Sequence, residues 1–185
     1  MALDEPTSSG PPSAYFPAVG DAVVVGIVDV GTYQQRDYDT GELKTWPDGG
    51  KVEGKVVTGL VISHEGTTAK GGQRNSQPIE AGDLVTFWCE GGKHYTYRDA
   101  LAQHGAVDVG DVMLWKREAD KPPTNPRHNP AKQYVARIRK PKPDDGDVVD
   151  RCQKARNELK AARIDEAPAD PVYASASYDA DVDAF

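Results

Sequence analysis

Aromatic and basic residues are interleaved at several places along this 185-residue chain, and rings beside cations are the residue types that stack on flat bases and hold phosphates. The segment from Gln34 to Gly50, QQRDYDTGELKTWPDGG, carries Arg36, Tyr38, Lys44 and Trp46, with Tyr33 just before it. It is too long and too polar for a simple hairpin turn and is expected to project from the domain. Its rings either stack on bases or pack against the domain wall, and the sequence leaves both open. In LVTFWCE, period-2 alternation sets Val85, Phe87 and Cys89 on a core face and Thr86, Trp88 and Glu90 on the other. Trp88 is then a base-stacking platform, unless a loop or a second subunit covers it; Tyr95 and Tyr97 follow close behind. From Trp115 to Lys142 there are 9 basic residues against 2 acidic ones, a strip suited to tracking phosphates. Lys116, Arg117, Arg127, His128, Lys132, Arg137 and Arg139 are its candidate contacts. Alternation turns both Arg137 and Arg139 outward and Tyr134 toward the core.

The elements that must hold these residues are mostly strands. VGDAVVVGIV, AGDLVTFWC and VGDVMLW each pair a Gly-Asp turn with a β-branched or aromatic run, and KVVTGLVISH and KQYVARIRK have the same character. Five principal strands, with a short helix over TYRDALAQHG between the third and fourth, predict an all-β domain: a five-stranded barrel of the oligonucleotide-binding (OB-fold) type. Thr96 is expected to cap that helix and Gly105 to end it. Gly26 and Gly59, inside strand patterns, are expected to permit sharp coiling. Residues 1–17 are rich in Pro, Ser and Gly and read as a disordered arm, and 18–141 as the barrel. Residues 142–164 read as a charged segment with a loosely attached helix whose apolar positions are Val149, Cys152, Leu159 and Ile164. Residues 165–185 read as a disordered acidic tail.

A net charge of −7 argues at first against a phosphate-bearing ligand. Its distribution argues the other way, because residues 18–141 hold 16 basic and 16 acidic residues whereas 142–185 hold 6 and 11. No run approaches the roughly 20 apolar residues of a membrane span, and MALDEPTSSGPPSAYF has no signal-peptide pattern, so a cytoplasmic location without membrane contact is expected. Cys89 and Cys152 are expected to be reduced thiols. The histidines lack metal-ligand spacing, so neither a metal nor a cofactor is expected. No nucleophile elbow, phosphate loop or carboxylate cluster stands out, so no catalytic residue and no enzyme activity are expected.

The run GDAVVVGIVDVGTYQQRDYDTGELKTWPDG, with the later NPAKQYVARIRKP, resembles small proteins of actinobacterial phages regarded as single-stranded DNA-binding proteins. The resemblance spans residues 19–141. It implies sequence-tolerant binding of single-stranded DNA in phage replication, recombination or repair. The ending SYDADVDAF is similar to the acidic tails of bacterial single-stranded DNA-binding proteins, and Asp179, Asp181, Asp183 and Phe185 match that design. Those residues would recruit replication or recombination proteins, although Ala184 stands where such tails carry Pro. A different expectation is a barrel that docks on a host protein without binding DNA. The sequence leaves self-association open.

Overall fold

The computed structural model describes residues 10–37, 40–72, 74–122 and 130–165. The chain is mostly β, with two antiparallel sheets and two helices among the described residues. The principal strands are β2 (Ala22–Gln34), β3 (Glu53–Glu65), β6 (Leu84–Cys89), β7 (Val112–Lys121) and β8 (Ala131–Arg139), hydrogen-bonded in the order β6-β3-β2-β7-β8. All five runs picked out by their β-branched and aromatic content are strands. The expected closed barrel is not found, because β6 and β8 lie at opposite edges of the hydrogen-bonded sheet. The remaining strands, β1 (Ala14–Tyr15), β4 (Ala69–Lys70) and β5 (Gln77–Pro78), make a small sheet of their own.

The N-terminal segment explains part of this opening. The Thr86 N–H donates to the Pro12 carbonyl at 2.9 Å, the Thr86 hydroxyl to that of Pro11 at 3.2 Å, and Ser13 bridges Thr86 in parallel sense. The outer edge of β6 is thus taken by residues 11–13. Phe16, 2% exposed, enters the core and meets the Tyr134 ring edge-on at 5.8 Å. Residues 10–17 are therefore docked structure, which corrects the expected arm for its last residues. Burial of the Phe16 ring acts together with the hydrogen bonds to Thr86 and Arg117 to offset the chain entropy lost on docking.

The interior core joins Val23, Val25, Ile27, Val57, Val61, Val85, Phe87, Met113 and Trp115 with Phe16 and Tyr97. A second core lies on the outer face of the sheet. There α2 (Val148–Asp165) packs Val148, Cys152 and Ala155 on Val28, Leu60 and Val112. The helix is firmly docked, which corrects the expected loose attachment. Its buried stripe runs Val148, Cys152, Ala155, Leu159, a helical spacing, while Val149 is 43% exposed.

Gly26 owes its place to this helix. A Cβ there would lie 2.5 Å from Cys152 Sγ and 2.6 Å from Val148 Cγ2, and one at Gly59 would meet Val25. Both glycines therefore serve close packing. Gly26→Ala is expected to lower the unfolding free energy by about 1–3 kcal/mol. Adding Cys152→Ala should give a double variant whose loss is smaller than the sum of the two single losses in denaturant melts.

The first helix, α1 (Gly92–His104), begins four residues before Thr96, so the expected cap is displaced. Thr96 sits inside it, its hydroxyl donating to the Tyr134 carbonyl at 3.2 Å, and Gly105 ends the helix as expected. Packed on β8 and the end of β6, α1 lies against both edge strands. No helix among the described residues is long and apolar enough to cross a membrane.

Candidate nucleic-acid interface

The outer face of β6 holds the exposed platform. The register places Gly31, Val56 and Trp88 side by side, with Val57, Phe87 and Cys89 facing the interior. Trp88 is 43% exposed and no loop among the described residues buries it. Tyr33, two residues beyond Gly31, reaches over the sheet to meet the Trp88 ring edge-on at 4.8 Å. Gly54 makes this reach feasible, since a Cβ there would lie 2.6 Å from the end of the Tyr33 ring. The Tyr33 hydroxyl donates to Glu90 Oε1 at 2.6 Å. Burial and then this bond raise the phenol above the usual tyrosine range.

Two clefts adjoin the start of α1, and the first of them borders this platform. One, of about 320 Å³, is lined by Trp88, Glu90, Gly92, Lys93, Lys132 and Tyr134. Lys93 Nζ lies 5.1 Å from the Tyr134 ring centroid, and burial holds its ammonium below the usual lysine range. Lys132 Nζ stands 5.3 Å from the Tyr15 ring centroid. The other cleft, of about 350 Å³, lies where the β2–β3 connection meets α1 and includes Trp46, His94, Tyr95 and Arg98 in its wall. Trp46 and Tyr95 are more than half exposed, and the Arg98 guanidinium stacks 5.0 Å from the Tyr95 centroid. The connection folds into two successive turns closed by the bridges Arg36–Leu43 and Thr45–Lys51. Arg36 donates to the Gly41 carbonyl at 2.9 Å and so holds its own turn. Lys44 is half-buried.

Several expected contacts lie elsewhere. Tyr97, 3% exposed, belongs to the core, because the helix turns it inward while Tyr95 faces out. Arg117, 7% exposed, grips the carbonyls of Phe16 and Pro17 and forms a two-pronged pair with Asp120. Its role is structural. Arg139 is likewise paired with Asp145 at 2.6 Å, which holds the Asp145 carboxyl down at about 2. Arg137 and Arg139 share the outward face foreseen for them, but line a different cavity, of about 650 Å³, with His104 and Leu114. Lys116 borders a third region beside His64. Tyr38, Arg127, His128 and the tail residues Asp179, Asp181, Asp183 and Phe185 lie outside the described residues.

The structure thus gathers Tyr33, Trp46, Trp88, Tyr95 and Lys132 about the segment 88–98 and separates them from the arginines of β8. Glu90, Lys93 and Arg98 were missed by sequence reasoning. Their signal was present, since Lys93 and Arg98 are interleaved with Trp88, Tyr95 and Tyr97. Both cysteines are free and buried, and burial pushes the thiols up to about 12 for Cys89 and about 11 for Cys152, so neither is ionised near neutral pH. Among the described residues, no group of three or more His, Cys, Asp or Glu is placed to hold a metal ion. No family model, curated protein or solved structure matches the chain.

Proposed function

We propose that this protein binds single-stranded DNA with little regard to sequence, as a non-enzymatic phage protein of replication or recombination. The reading rests on one observation above all: Trp88, exposed on the sheet, stands beside a cleft walled by Lys93 and Lys132. Such a surface takes a base on the ring and a phosphate on the ammonium groups. The strand order β6-β3-β2-β7-β8, with a helix between the third and fourth long strands, supports an oligonucleotide-binding fold opened between its third and fifth strands. In this reading the acidic tail ending in Phe185 recruits a partner protein.

Titration with a thymine oligonucleotide is expected to quench tryptophan fluorescence, with an affinity that falls steeply as salt rises. Trp88→Ala should weaken binding by about 1–3 kcal/mol. Absence of both quenching and retention at low salt would overturn the reading.

A further inference from the structure

The Trp88 cleft contains a group that phosphate binding does not explain. Glu90 places a carboxylate in its wall, where it opposes the attraction of Lys93 and Lys132 for a polyanion. The carboxylate is held in place. Glu90 Oε1 accepts the Tyr33 hydroxyl at 2.6 Å, and the Tyr33 ring is itself fixed by contact with Trp88 at 4.8 Å and by its passage over Gly54. Glu90 Oε2 has no hydrogen-bond partner among the described residues, and the Lys93 N–H donates to the Glu90 carbonyl at 3.0 Å, which anchors the backbone as well. An immobilised acceptor at the edge of an exposed indole suits a ligand whose flat face meets the ring and whose rim offers donors.

We infer that Glu90 gives the Trp88 cleft a preference for guanine among the bases it stacks. The inference rests on the single-stranded DNA reading and adds to it a specificity-determining residue. Guanine carries N1–H and the N2 amino group side by side on its Watson–Crick edge, two donors that match Glu90 Oε2 and the lone pair of Oε1 that Tyr33 leaves open. Thymine places its single N3–H between two carbonyl oxygens, which the carboxylate repels. Cytosine and adenine each set one amino donor beside a ring acceptor, so they rank between. One such position leaves the remaining stacking sites tolerant of sequence, and the protein as a whole binds DNA generally with a local bias.

The test compares an all-thymine oligonucleotide with the same oligonucleotide carrying one central guanine, on the full chain and on Glu90→Gln, by fluorescence titration. A good two-pronged contact predicts at least about fivefold tighter binding of the guanine-bearing strand. Glu90→Gln, which keeps an acceptor for Tyr33 and is exposed enough to leave the fold intact, should shrink that ratio below about twofold. Its affinity for the all-thymine strand should hold or rise. Equal binding of both strands by the unaltered protein, or a ratio unchanged in Glu90→Gln, overturns the Glu90 assignment while leaving single-stranded DNA binding intact. Failure of both strands to bind overturns the two together.

Discussion

Trp115→Ala is expected to lower the unfolding free energy by about 3–5 kcal/mol. Trp115 is fully buried, its ring 5.6 Å from that of Phe87 and 6.2 Å from that of Tyr134, so it links β6, β7 and β8 where β6 and β8 lack mutual hydrogen bonds. Removing it leaves a cavity at the place the backbone does least to close. Domains of this size are stable by only about 5–15 kcal/mol, so the variant should unfold at much lower denaturant. Trp115→Phe should lose far less. The indole N–H is buried with no partner among the described residues, so phenylalanine gives up ring area but also removes an uncompensated desolvation. Urea melts of the two variants test this pair, and a loss under about 1 kcal/mol for Trp115→Ala would contradict the packing described.

Arg117→Ala should cost about 2–4 kcal/mol, through the N-terminal segment rather than through DNA. The guanidinium satisfies the carbonyls of Phe16 and Pro17 and holds Asp120, and its loss strands acceptors on both sides. Asp120 is one-third exposed and can be rehydrated, which keeps the cost below that of a fully buried pair. Arg117→Lys should recover little, because an ammonium cannot fill a planar fork of this kind. Faster proteolysis near residues 10–17 and faster hydrogen exchange at the Thr86 N–H are the expected readouts. On the proposed function, the affinity of the folded fraction for single-stranded DNA should stay near that of the unaltered chain. Unchanged protection at Thr86 would show that Arg117 does not anchor the segment.

What was legible in the sequence was the set of strands, because β-branched alternation and Gly-Asp turns are local signals. Trp88 was legible for the same reason: once Val85, Phe87 and Cys89 face inward, Trp88 faces out. Closure of the sheet was not legible, since it depends on which segment reaches the edge of β6, and Pro11 to Ser13 carry no apolar pattern that announces pairing. The docking of α2 was half legible. Cys152 and Leu159 are legible as apolar positions, but Val149 reads as a third where Val148 is the buried one, and one position along a helix turns a side chain by about 100°. A basic count treats every cation as a surface charge and so misplaces Arg117, whose partners Phe16 and Pro17 are about a hundred residues away. Glu90 is not legible, because the hydrogen bond that holds it comes from Tyr33, brought beside it by the sheet.

The hydrogen bonds that dock residues 11–17 span 75 residues to Thr86 and 101 residues from Phe16 to Arg117. Contacts so distant along the chain have a large loop-closure entropy to overcome, and they form after the local hairpins. The order of assembly during synthesis follows from this. A chain growing from its N-terminal side leaves Phe16 without its Arg117 anchor until residue 117 has been added, although the β2–β3 hairpin is complete in sequence by residue 65. Strand β6 is complete in sequence by residue 89, and until residues 11–13 pair with it its outer edge is open to other chains. The segment that covers this edge is thus among the first to be made, and its partners Thr86 and Arg117 follow 75 and 101 residues later.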